Sequence, residues 1–218
     1  MIKKILALFV LCFFLPFNSV FSDDKILSPE EYVTYLAQDT LDVLGNKSKN
    51  TDEIVKNISD IFLSNLAVRE ISLFVLGPYR RNLDSGQKNK YINLIKRFVS
   101  EIYSIRLASF PSGDFSILSS TDNGRSGIIV KTLIQFSNDP KPTKIDWRLI
   151  KKQDGDFKIF DIRVVGIWMA QEQRSTFTSF LSKNNGNIDK LMDRLEEQLN
   201  ELILSSLPYL QPFQFYSL

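Results

Sequence analysis

The chain has 218 residues, with 27 Lys and Arg against 25 Asp and Glu, a single cysteine and no histidine. A charge balance this close to neutral removes the electrostatic argument for a nucleic-acid partner. The lack of histidine, with the lone thiol at Cys12, removes the usual triads, thiol nucleophiles and thiolate metal sites, and leaves zinc only an all-carboxylate ligand set foreign to its chemistry.

The chain begins with Lys3 and Lys4, then an apolar run from Ile5 to Phe17 broken by Pro16 and Asn18, then Val20-Phe21-Ser22. This is the layout of a secretory signal peptide over residues 1–22, cut after Ser22. The run falls short of the ~20 apolar residues a spanning helix needs. Cleavage would take Cys12 and both lysines, leaving a chain without a thiol whose basic residues equal its 25 acidic ones. The expected organisation is a single domain over 23–204 and a proline- and aromatic-rich tail, 205–218 (residues 207–218 read LPYLQPFQFYSL).

Ser28-Pro29-Glu30-Glu31 reads as a helix start, with Ser28 as cap and Glu31 reaching back. Val33, Leu36, Ala37 and Leu41 mark its apolar face, and Gly45-Asn46 ends it. A second helix is expected from about Asp52, with Ile54, Ile58, Ile61 and Phe62 inward. A third carries Leu66, Ala67, Ile71, Phe74 and Val75 and stops at Leu76-Gly77-Pro78. Asp84 and Gln87 open the longest helix, in which Tyr91, Leu94, Ile95, Phe98, Val99, Ile102, Tyr103 and Leu107 recur at steps of three and four. Pro111-Ser112-Gly113 closes it.

Strands follow. Residues 114–121, 128–136, 143–151 and a fourth run from Phe157 alternate apolar and polar residues between the turn signals Asp122-Asn123-Gly124, the loop Asn138–Pro142 and Asp154-Gly155. Short turns between consecutive strands predict an antiparallel meander. The fourth strand breaks at Gly166, and Trp168, Met169, Phe177, Phe180 and Leu181 continue as a helix. A last helix is expected over 188–204. The fold class is therefore α+β: a helical N-terminal half and two C-terminal helices packed on a four-stranded, mainly antiparallel meander sheet that encloses an apolar pocket.

The chemistry that survives is carboxylate chemistry, with Asp146, Asp156, Asp161 and Glu172 as candidates. Asp161 stands out in an apolar strand, two residues from Arg163. It reads either as an acid or base tuned by burial or, more often in proteins, as half of a structural ion pair. An excess of apolar faces over what one thin layer needs, with no catalytic equipment, points to a carrier of an apolar ligand.

The segment from Leu76 to Phe110 resembles the middle of the MlaC family, also called the toluene-tolerance auxiliary family. The matching residues are Leu76, Gly77, Tyr79, Arg80, Gln87 and Tyr103. A second match follows at Phe160, Asp161, Gly166, Arg174, Phe177 and Gly186, and the resemblance spans roughly Ser28 to Gln198. Phe157 stands where the family commonly has tryptophan, and Trp168-Met169 replaces a smaller serine-containing turn, which is expected to narrow or reshape the pocket.

The resemblance implies a periplasmic carrier that holds phospholipid acyl chains non-covalently. It would shuttle lipid between an outer-membrane lipoprotein–porin complex and an inner-membrane ABC transporter with an MCE-domain subunit, maintaining outer-membrane lipid asymmetry. It implies no catalysis and no cofactor or metal, phospholipid being cargo, and a monomer is expected. The expected lining is Val75, Leu76, Tyr79, Phe98, Tyr103, Val130, Trp147, Phe160, Ile162, Val164, Trp168, Met169 and Phe177, with Arg80 and Arg81 at the mouth near the headgroup. Two other readings stay open: a small α+β enzyme acting on a hydrophobic molecule through Asp161, and a periplasmic chaperone or scaffold.

Overall fold

A computed structural model describes residues 27–46 and 48–206, the side chains of 202–206 excepted. The expected signal peptide and nearly all of the expected tail lie outside the described residues. Among the described residues six α-helices run Pro29–Gly45 (α1), Thr51–Asn65 (α2), Val68–Val75 (α3), Ser85–Leu107 (α4), Met169–Lys183 (α5) and Ile188–Ser206 (α6). Between α4 and α5 come five strands, Gly113–Asp122 (β1), Ile128–Phe136 (β2), Thr143–Lys151 (β3), Phe157–Val164 (β4) and Ile167–Trp168 (β5). The helix starts follow local chemistry. Ser28, Asn50 and Asp84 each close a reciprocal capping box with the side chain three residues on.

The sheet is an antiparallel meander in the order β1-β2-β3-β4-β5. It has five strands where the sequence predicts four. The chain does not pass straight from β4 into α5; Val165 and Gly166, both at positive φ (48° and 88°), turn it back so that Ile167 and Trp168 pair with Val164 and Arg163. Two consecutive left-handed residues between paired strands make a tight hairpin turn whose twist suits the sheet.

Apolar burial divides into two cores. In one, α1 and α2 pack Val33, Leu36, Ile58 and Ile61 on the sheet face formed by Val130, Trp147, Leu149 and Ile159. In the other, α3 to α6 gather Val75, Leu76, Tyr91, Ile95, Phe177, Leu181, Leu195 and Leu199. Lys131 and Lys144, at the alternate positions of β2 and β3, are exposed, as the period of two requires. The cores are pinned together where α2 passes to α3. There the Ala67 amide donates to the Ile159 carbonyl at 2.9 Å, beside a parallel bridge from Leu66 to Ile159.

Candidate functional site

β4 carries a bulge. Arg148 pairs with Asp161 and Leu149 with Ile159, so Phe160 has no ladder partner. A bulge bends the strand and re-aims side chains. Here the Phe160 ring meets Phe74 of α3 edge-on, 5.1 Å between centroids. Around this bend the two cores do not fully close. They leave a cavity of about 110 Å³, lined by Phe62 of α2, Leu66 just beyond it, Ile71 and Val75 of α3, and Ile95, Phe98, Val99 and Tyr103 of α4. The remaining lining comes from Ile159 to Ile162 of β4 and from Met169, Ala170, Gln173 and Phe177 of α5.

Its polar lining is confined to Tyr103, Asp161 and Gln173. Asp161 is 3% exposed. Its Oδ1 accepts the amides of Ile162 at 2.9 Å and of Ala170 at 2.7 Å. Ala170 sits in the first turn of α5, whose preceding residue Trp168 supplies no side-chain cap. A carboxylate from the sheet thus caps the helix from across the fold, where the helix dipole favours negative charge. Burial raises the Asp161 pKa; the amides of Ala170, Ile162 and Gln171 and the charge of Arg148 pull it back only in part. Burial likewise raises the Tyr103 phenol, with Arg106 opposing and Asp161 adding to the rise.

Of the lining expected from the sequence, Val75, Phe98, Tyr103, Phe160, Ile162, Met169 and Phe177 meet at this cavity. The others lie elsewhere. Leu76 is enclosed in the helical core, and Val130 and Trp147 in the sheet core, where the indole Nε1 donates to Thr132 Oγ1 at 3.1 Å. Val164 sits at the strand end between Ile145 and Ile167. Tyr79 packs its ring on Gly186, where a Cβ would come within 3.2 Å of it.

Trp168 turns away from Met169 and lies against the Arg148 and Arg163 guanidiniums, 4.3 and 5.0 Å from its ring centre. Arg163 is in turn held by Asp146, Nε to Oδ2 at 2.7 Å, so the Arg163 partner is Asp146 and not Asp161. Arg80 and Arg81 are exposed in the 3-10 turn Gly77–Arg81. Phe157 is buried in the sheet core beside Tyr32.

Sequence reasoning placed Phe62, Leu66, Ile71, Ile95 and Val99 on inward faces without assigning them to the cavity. Gln173 was missed altogether, although it stands at i+4 from Met169 and i−4 from Phe177, a polar residue inside an apolar helical stripe. A second depression, about 620 Å³, opens at Ser112–Asp114 and Gln135–Pro140. It is formed by the ends of β1 and β2 and the loop after β2, and holds no buried charge. Among the described residues no three His, Cys, Asp or Glu side chains come together as metal ligands, and no helix is long and apolar enough to cross a membrane.

No curated protein matches the chain. A family model described as MlaC protein matches residues 35–197. Among solved structures the fold is similar to the phospholipid-binding protein from Ralstonia solanacearum, determined in complex with a phospholipid. The TM-score is 0.70 at 16% identity, over 81% of this chain and 99% of that one.

Proposed function

This chain belongs to the MlaC family, and from that premise we propose that it is an exported, non-covalent carrier of phospholipid, with the acyl chains held where its two cores meet. The observation that carries this reading is the cavity itself, almost wholly apolar, bounded by sheet and helices together. The fold it shares with a phospholipid-binding protein supports it.

The energetics set what the cavity must do. Each buried methylene gains about 0.8 kcal/mol, so a two-chain lipid with roughly thirty of them is held in a bilayer by more than about 20 kcal/mol. A carrier has to offer comparable dry burial. The cavity of about 110 Å³ is smaller than the ~300–1,000 Å³ typical of ligand pockets. Loading therefore requires the helical core to part from the sheet core, exposing to lipid the faces that now meet. The chain would take lipid from one membrane complex and give it to another, an MCE-bearing ABC transporter on the inner membrane and a lipoprotein–porin complex on the outer, after removal of residues 1–22.

Asp161 favours a second reading, an acid or base in an apolar site. Its position caps α5, which accounts for its burial without turnover, and Tyr103 is the one other titratable lining group. Lipid extraction and native mass spectrometry of protein purified from cells test the carrier. A phospholipid at fixed stoichiometry is expected, and protein that emerges bare and takes up none from vesicles would refute it.

A further inference from the structure

Among the described residues, two polar atoms that line the cavity have no hydrogen-bond partner. The second carboxylate oxygen of Asp161, Oδ2, is buried without a hydrogen bond of ordinary geometry, the Gln171 amide coming near the carboxyl without making one. Gln173 Nε2 is likewise buried without one. Asp161 is oriented by its other oxygen, held by the Ala170 amide at 2.7 Å. Gln173 lies three residues beyond Ala170 on α5. Residues at that spacing share a helix face about 5–6 Å apart, so Gln173 occupies the turn next to the carboxylate. An acceptor from β4 and a donor from α5 therefore line the same cavity, which is otherwise apolar except for Tyr103. Unsatisfied buried groups of this kind are costly and call for an occupant.

The complementary group follows from the donor and acceptor inventory. Methylene answers neither atom. An ester carbonyl or carboxylate offers acceptors alone, satisfying Gln173 while setting a second oxygen against Asp161. An ammonium offers donors alone. A hydroxyl answers both, giving its hydrogen to Oδ2 and taking the Nε2–H on its oxygen. The ionised carboxylate singles out the hydroxyl; once Oδ2 is protonated, an ester carbonyl accepts from both atoms as well.

We propose that Asp161 and Gln173 form a hydroxyl-reading site inside the cavity, selecting an apolar ligand with an alcohol in its buried part: a hydroxylated acyl chain or the free glycerol hydroxyl of a monoacyl lipid. The proposal rests on the lipid-carrier reading above.

Displacement of cis-parinaric acid from the delipidated chain tests it. The competitors are matched pairs: stearic acid against 3-hydroxy- and 12-hydroxystearic acids, and monopalmitoyl phosphatidylglycerol against its 2-deoxy analogue. Within a pair the hydroxylated member is expected to bind about tenfold more tightly. Preference among the stearic acids assigns the acyl chain, and preference between the glycerol lipids assigns the headgroup end. Gln173→Leu, which leaves the α5 cap in place, is expected to abolish the preference, as is Asp161→Asn if it folds. Equal affinity within every pair means the two atoms hold only water, and overturns the proposal while leaving the carrier intact. A preference that survives Gln173→Leu also overturns it. Failure of every lipid to displace the probe defeats the carrier reading itself, and this proposal with it.

Discussion

Val165 holds a β-branched side chain at φ 48° and is 77% exposed. That conformation crowds Cβ against the carbonyl, and asparagine or glycine adopts it more readily. Val165→Asn is expected to stabilise the chain by about 1 kcal/mol, read from urea unfolding. Asp161 makes a different demand. Its folded pKa lies above the ordinary value because it is buried. A raised carboxyl stabilises the fold at a pH below its unfolded pKa, and that contribution is lost as pH rises through the folded one. Between about pH 4 and neutrality wild type should therefore lose stability relative to Asp161→Asn. Urea unfolding of both proteins across that range checks it, and a constant difference would refute the assignment. The residue was legible in the sequence as an isolated charge in an apolar strand. Its role as a cap was not, because the amide it serves is nine residues away on another element.

At the level of elements, the loop from α3 to α4 explains residues that otherwise look like ligand contacts. Gly77 has φ 57°, and a Cβ there would lie 2.9 Å from Thr178 Cγ2 and close to the Arg174 guanidinium. Arg174 donates to the Phe74 carbonyl at 3.1 Å and lies over the Phe74 ring at 4.8 Å. Beyond Gly77, Tyr79 presses on Gly186. Gly77, Tyr79, Arg174 and Gly186 thus fasten α3 to α5 and to the start of α6. Gly77→Ala is expected to cost about 1–2 kcal/mol from the backbone conformation alone, measured by urea unfolding, with a further cost from the Thr178 contact. These residues were visible in the sequence as a pattern. Their contacts span about a hundred residues of chain, and no local period carries that information.

For the whole molecule, the decisive feature is that two cores share one seam. Each gathers its own set of buried side chains, and the cavity is lined from both. Filling it from one side should close the route for lipid without unmaking either core. Val99→Phe, on the cavity side of α4, is expected to shift the melting temperature by only a few degrees, since volume is added to a void. The lipid recovered after extraction should fall by about tenfold or more, given the size a ligand pocket needs. Undiminished lipid would place the binding surface elsewhere.

The sequence by itself determined the local order: where helices start, through capping pairs such as Asp84 with Gln87; the long α4 stripe; and a meander whose second and third strands run over 128–136 and 143–151 as read from alternation. These follow from periods of 3.6 and 2.0 and from turn chemistry, which act over a few residues. The tertiary structure alone decided which inward faces close on one another and which leave a gap. Val130 and Trp147 look as suitable for a pocket as Phe98 and Ile162, and an apolar face is silent about its partner. The bulge at Phe160 and the reversal at Val165-Gly166 settled it, sending Met169 into the cavity and Trp168 to the arginines on the far side.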